Sequence, residues 1–160
     1  MDYWFARNAD DIDFVGQAAK TTKTTHLGDW LINAFPMTQW HIDKELYIPP
    51  DFIKKKMDIL TVVQKIQSYK AVFSSRLHPL LCALTSAERA KYKEQREMGS
   101  QLQSGKFNSM LVDIFGESLP EDTVFTVNRD EVFKYKSFVV DNTQAMKDII
   151  WKICEEPTKL

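Results

Sequence analysis

The chain has 160 residues and a formal net charge of −1, with 44% hydrophobic, 12% aromatic and 27% charged residues. A chain of this size buries on the order of 70% of its unfolded surface, so this composition excludes a largely disordered, a fibrous or a membrane-embedded protein. Two cysteines, Cys82 and Cys154, form no CxxC pair, which excludes a disulfide-rich scaffold and the usual zinc motifs.

The first residues lack the basic and apolar regions of a signal peptide, and no run of the chain approaches ~18 apolar residues. We therefore expect one globular domain over residues 1–160, located in the cytoplasm and without a membrane partner. No residue pattern in the chain requires a cofactor.

The first fifty residues predict two helical segments and one strand. Asn8 is placed to cap a helix over residues 9–20, whose first turn is acidic. Apolar residues within 27–35 recur with a helical spacing that ends at Pro36. Residues 45–48 predict a short strand before the following pair of prolines.

The clearest predicted element is a helix over about 51–69. Its polar residues recur at spacings of three and four, and apolar residues fill the other positions. This pattern is typical of a helix that is buried on most sides, so we expect it at the centre of the core. The next apolar stretch, 71–84, is predicted to be kinked or divided at His78 and Pro79.

A polar helix is predicted after these apolar stretches. The sequence at 85–88 matches a capping box, in which a threonine and a glutamate bond each other's backbone amides. The helix should begin near Ser86 and continue to Gln103, because Gly105 then ends it. Residues 106–115 predict a further helix.

The spacing of the hydrophobic residues changes from a helical to a strand-like period in the last forty residues. Residues 123–140 contain two runs rich in β-branched and aromatic residues around a polar turn at 128–131, which predicts an antiparallel hairpin. Asp141 or Asn142 should then cap a C-terminal helix. The apolar face of that helix contains Met146, Ile149, Ile150, Ile153 and Cys154. The predicted fold class is α+β, mainly helical, with a core around the helix at 51–69.

The charge is unevenly distributed along the chain. Residues 1–50 carry 4 basic and 7 acidic residues, residues 51–106 carry 11 and 5, and residues 107–160 carry 6 and 10. A basic segment of this kind binds acidic surfaces or nucleic acid when it is exposed, and is otherwise the solvated face of a helix.

One face of the predicted helix at 86–103 is basic and aromatic. Its residues are Arg89, Tyr92, Lys93, Arg96 and Gln103. Arg89 and Lys93 repel each other at their i, i+4 spacing unless an anionic group lies between them. We therefore predict a non-enzymatic interaction protein, an adaptor, inhibitor or assembly subunit, that binds another protein with this face. Nucleic-acid binding by the same face is the alternative, because Tyr92 can stack on a base.

A small metal-dependent hydrolase is the second alternative. It requires His26, His41 and Asp43 to converge around a metal with an open position for water. His78 and Cys82 also have an i, i+4 spacing, which we interpret as a core thiol near a satisfied histidine. The residues carry no motif of a widespread family, which favours an accessory factor of a virus or mobile element. The oligomeric state, including a homo-oligomer, stays open.

Overall fold

The computed structural model describes residues 3–18, 22–51, 58–94 and 105–155. Within these ranges the chain forms five α-helices, one 3-10 helix and six strands. The strands are β1 (Tyr3–Ala6), β2 (Lys23–His26), β3 (Ile42–Ile48), β4 (Tyr69–Ser74), β5 (Arg89–Tyr92) and β6 (Phe125–Thr126). The α-helices are α1 (Asp10–Ala18), α2 (Ile59–Gln67), α3 (Leu77–Leu84), α4 (Lys106–Phe115) and α5 (Arg129–Glu155), and the 3-10 helix is Trp30–Ala34. The predicted α+β class with a C-terminal helix is confirmed.

The strands form two sheets. β1 and β2, which precede and follow α1 in the chain, pair in parallel, and the larger sheet has the order β3-β4-β5-β6. β3, β4 and β5 are parallel neighbours, whereas β6 is antiparallel to β5. α2 connects β3 to β4 and α3 connects β4 to β5, as the crossovers between parallel strands require. The carboxyl ends of these three strands therefore lie at one end of the sheet.

Three predicted elements are confirmed by the structure. The helices predicted at 9–20 and 106–115 are α1 and α4, and the strand predicted at 45–48 is part of β3. The helical segment predicted within 27–35 is shorter than predicted, because only the 3-10 helix Trp30–Ala34 forms there. Among the helices of the described ranges, none is both long and apolar enough to cross a membrane.

The apolar stretch 71–84 is divided between a strand and a helix. β4 ends before the turn that leads into α3, so the division comes earlier than the predicted break at His78 and Pro79. Pro79 instead lies in the first turn of α3. A proline is tolerated there because the first amides of a helix have no partner within the helix.

The centre of the core is α3 and not the helix predicted at 51–69. Residues 80–84 of α3 are all buried. α2 begins only at Ile59, and both Ile59 and Leu60 are exposed, at 74% and 66%. The narrow polar stripe therefore does not indicate burial on most sides, since apolar residues of the first turn of α2 remain exposed and line a cavity. The part of the prediction that covers 52–57 lies outside the described residues.

The predicted hairpin at 123–140 is wrong, because most of this segment belongs to α5. Only Phe125–Thr126 forms a strand, and it pairs with β5. The buried residues of α5 are Val132, Tyr135 and Val139. Their spacings of three and four place them on one helix face, and the burial of that face overrides the strand preference of β-branched and aromatic residues.

α5 also begins earlier than predicted. The side-chain oxygen Oδ1 of Asn128 accepts hydrogen bonds from the amides of Asp130 and Glu131, at 3.2 and 3.4 Å. Asn128 therefore caps the helix. The prediction that Asp141 or Asn142 starts a separate helix is wrong, since both lie inside α5.

The predicted polar helix at 86–103 is wrong over its first residues, which form β5. The hydroxyl groups of Thr85 and Ser86 donate to carbonyl groups in the last turn of α3, at 2.6 and 3.4 Å. These hydroxyls end the preceding helix and do not cap a following one. The remainder of the prediction falls largely on 95–104, which lie outside the described residues.

Gly28 lies where the chain passes between β2 and the 3-10 helix, directly against α5. Its φ angle is +81°, and a Cβ atom at this position would lie 2.5 Å from Val139 Cγ2 and 3.2 Å from Tyr135 Oη. Glycine is required here for two reasons, because the backbone is left-handed and because the chain approaches α5 closely.

Candidate functional site

The second half of α5 is only partly covered by the rest of the described chain. The helix has 27 residues, and its last buried residue is Val139. Residues 140–155, which we call the free half of α5, are all described and none of them is buried. At about 1.5 Å per residue, this half is about 24 Å long.

The free half of α5 has an apolar face. That face consists of Met146, Ile149, Ile150 and Ile153. Their spacings of three and four place them side by side on the helix. Ile150 and Ile153 are 46% and 53% exposed, and Trp151, at 68%, adds apolar surface on the other side of the helix. Anchors at these spacings are typical of a helix that lies in the groove of another protein.

The first half of α5 holds this helix firmly. The Lys136 ammonium donates to the backbone oxygens of Ile32 and Phe35, at 2.7 and 2.6 Å, and burial lowers the pKa of Lys136. The hydroxyl of Tyr135 accepts a hydrogen bond from the amide of Asp29 at 2.8 Å, and burial raises the pKa of Tyr135. The free half therefore projects from a fixed base.

The basic contact residues predicted from the sequence lie on β5 or directly after it. Arg89 and Lys91 share one side of the strand, because alternate residues of a strand point the same way, and Lys93 follows the last strand residue. Lys91 Nζ and Lys93 Nζ lie 3.8 and 3.9 Å from the two carboxylate oxygens of Asp122. Arg89 is half-buried, and its Nε atom has no hydrogen-bond partner among the described residues. Asp122 thus offsets part of the positive charge of this row.

Tyr92 does not belong to that basic row. It is 3% exposed, its ring stacks on Phe107 at a centroid distance of 5.3 Å, and its hydroxyl donates to the backbone oxygen of Leu119 at 2.7 Å. Its ring is therefore not available to stack on a base. Arg96 and Gln103, the other two predicted contact residues, lie outside the described residues.

The residues predicted for a metal site are engaged separately. His26 Nε2 lies 3.2 Å from Asp113 Oδ2, and Asp43 Oδ1 lies 3.1 Å from Lys70 Nζ. His41 lies at a cavity that neither His26 nor Asp43 lines. In the part of the chain that the structure describes, no group of three or more histidine, cysteine or acidic residues is placed to hold a metal ion. The convergence of His26, His41 and Asp43 that a metal-dependent hydrolase requires is not observed among these residues.

The thiol of Cys82 is not placed for nucleophilic chemistry. Cys82 is buried and unpaired, and burial raises its pKa to about 12, so it stays protonated at neutral pH. His78 approaches the carboxylate of Asp29 instead, with a distance of 3.6 Å between Nε2 and Oδ2. Cys82 is a core thiol, as its sequence environment predicted.

The pair of His26 and Asp113 makes folding sensitive to pH. The hydrogen bond to Asp113 raises the pKa of His26 above its usual value of 6.5, against the lowering effect of burial. The folded protein therefore binds this proton more tightly than the unfolded chain does. The stabilisation is fully present below pH 6.5 and is lost as the pH rises through the folded pKa.

We expect the free energy of unfolding to fall by about 0.5 to 1 kcal/mol through this pH range, as is usual for a partly exposed ion pair. Urea denaturation of the wild type and of Asp113→Asn, from acidic to mildly basic pH, measures the effect. Asp113→Asn should flatten the dependence, whereas Asp43→Asn, which removes the exposed pair with Lys70, should leave it intact. Equal slopes in all three proteins would contradict the role of His26.

Comparison of the chain with protein-family models, with curated proteins and with solved structures found no match.

Proposed function

We propose that this protein is a non-enzymatic interaction protein that binds another protein through the apolar face of the free half of α5. One observation supports this proposal above all. After Val139 no residue of α5 is buried, although Met146, Ile149, Ile150 and Ile153 follow the spacing of a contact face. This surface takes the place of the basic face at Arg89 as the principal contact.

The energetics of the apolar face favour a protein partner. Burying a fully exposed large aliphatic side chain contributes about 1.5 to 3 kcal/mol. Ile150 and Ile153 are 46% and 53% exposed, so burying the rest of this face on a partner contributes a part of that amount per side chain toward the cost of association. The helix is already formed and held by Tyr135 and Lys136, so binding orders little additional chain. A preformed helix loses little conformational entropy on binding, so more of the contact energy contributes to affinity.

A nucleic-acid partner receives less support from the same surfaces. Tyr92 is buried, and Lys91 and Lys93 both face Asp122. The free half of α5 itself carries both Lys147 and Asp148, so it presents no uniformly basic face to a phosphate backbone.

The test compares two variants with the same change in net charge. Ile150→Asp with Ile153→Asp places two carboxylates on the apolar face, whereas Lys147→Gln with Lys152→Gln removes two positive charges beside it. Each tagged protein is used for co-purification from an extract of its source cells, and any recovered partner is then purified and titrated directly. We expect the lysine variant to bind the partner like the wild type, and the aspartate variant to bind at least tenfold more weakly.

The same variants separate a binding defect from a folding defect. Neither isoleucine is buried in the folded chain, so both double variants should keep the melting temperature of the wild type within about 3 °C. Sedimentation velocity shows whether the partner is a second copy of this chain. If the aspartate variant recovered the partner as well as the wild type does, or if the extract yielded no partner, the proposal would be overturned.

A further inference from the structure

A cavity of about 350 Å³ lies near the carboxyl end of β4, between the 3-10 helix, α2 and the start of α3. Its apolar walls are Leu31, Ala34, Phe35, Ile59, Leu60 and Val63. Ligands of parallel sheets usually bind beyond the carboxyl ends of the strands, where the loops into the helices gather. The volume is at the lower end of the range for small-molecule sites.

Arg76 places a positive charge at one side of this cavity. One guanidinium nitrogen, Nη1, donates to the backbone oxygen of Pro50 at 2.9 Å, and the amide of Arg76 donates to Ser74 Oγ at 3.0 Å. These bonds fix the residue while leaving other guanidinium N–H groups to bind an anion. Arg76 is also the cap residue of α3, where the amide dipoles add positive potential.

His78 is the second polar residue that lines the cavity, and the buried Asp29 lies next to it. Asp29 is 2% exposed, and its Oδ2 atom has no hydrogen-bond partner in the described part of the chain. His78 Nε2 lies 3.6 Å from that oxygen, while Oδ1 of Asp29 accepts a bond from the amide of Leu31 at 3.3 Å. The two groups face each other at a distance slightly longer than a hydrogen bond, and His78 itself lines the cavity beside the apolar walls.

We propose that this cavity binds a small monoanion with an apolar body, such as an aliphatic carboxylate. The apolar walls contact the body, and the anionic group binds Arg76, with His78 at its side. Arginine suits this role because its planar N–H groups match the two oxygens of a carboxylate. A purely apolar ligand would leave the guanidinium without an anion, and a simple inorganic anion would leave the walls exposed to water.

Isothermal titration calorimetry of the full chain with octanoate, 1-octanol and octylamine tests the proposal. The three probes have nearly the same linear alkyl body and carry an anionic, a neutral and a cationic head group. We expect saturable binding of octanoate at a single site, at least tenfold weaker binding of 1-octanol, and no measurable binding of octylamine. Octyl phosphate, as a fourth probe, shows whether a phosphate head group is preferred to a carboxylate.

Two variants assign the binding to this cavity. Arg76→Gln should weaken octanoate at least tenfold and leave 1-octanol unchanged, whereas Ala34→Trp should fill the cavity and abolish both. Lys44→Gln, which removes an exposed charge from β3, is the matched control and should bind like the wild type. If Arg76→Gln fails to fold, the proposal is tested by the affinities of the three probes for the wild type and for Ala34→Trp.

Equal affinities for octanoate and 1-octanol, the absence of saturable binding, or full binding by Ala34→Trp would each overturn the proposal. This site is separate from the free half of α5. The variant Ile150→Asp with Ile153→Asp should therefore bind octanoate like the wild type, so either proposal can fail without the other.

Discussion

Replacing Gly28 by alanine is expected to lower the free energy of unfolding by about 3 kcal/mol. The backbone at Gly28 has a positive φ angle of +81°, which strains any residue with a Cβ atom. The added methyl group would also lie 2.5 Å from Val139 Cγ2, so the chain and α5 would have to move apart. Chemical denaturation of the wild type and the variant measures the loss.

Gly16 provides the matched control for this substitution. It lies within α1, where an added Cβ atom meets no described atom within 4 Å. Gly16→Ala should therefore stabilise the protein by about 0.5 to 1 kcal/mol, because alanine is the better helix former. Val139→Ala should recover part of the loss caused by Gly28→Ala, since it removes the clashing methyl group. Equal stability of the wild type and Gly28→Ala would contradict the close approach to α5.

Replacing Glu94 by alanine is expected to cost about 2 to 3 kcal/mol of unfolding free energy. Glu94 is 6% exposed, and its Oε1 atom accepts hydrogen bonds from the amides of Phe107 and Asn108, at 2.9 and 3.3 Å. Gly105, the cap residue of α4, has no side chain with which to cap the helix. A carboxylate from the segment that follows β5 thus satisfies two of the first amides of α4 and complements its dipole.

Two further variants distinguish capping from general disruption. Glu94→Gln keeps an oxygen acceptor without the charge, so it should lose only about half as much stability as the alanine variant. Glu117→Ala, an exposed position just after α4, should change stability by less than about 0.5 kcal/mol. If Glu94→Ala and Glu117→Ala had the same melting temperature, Glu94 would have no capping role.

The elements that the sequence predicts correctly are those whose hydrophobic period matches their local structure. α1 and α4 belong to this group. β5 does not, because Arg89 and Lys93 fit one face of a helix as well as one side of a strand. Only its pairing with β4 and β6 decides between the two, and that pairing is non-local.

The candidate site was only partly predictable. The apolar face that contains Ile150 and Ile153 is visible in the sequence, but its pattern is the same whether the helix packs on its own core or on a partner. Its exposure becomes evident only when α5 is seen to continue from Asn128. Arg76 carries no sequence signal, because the turn that brings it beside α2 depends on the order of the parallel strands.

The bond between His26 and Asp113 has a consequence for how the molecule opens. No residue of α1 is buried, and the amide of Ala9 also reaches the carboxylate of Asp113, at 3.4 Å from each oxygen. One side chain of α4 therefore makes two of the attachments of the segment that holds β1, α1 and β2. We expect this segment to open locally, so that its amide hydrogens exchange with solvent well before those of β4, which are released only when the whole core unfolds.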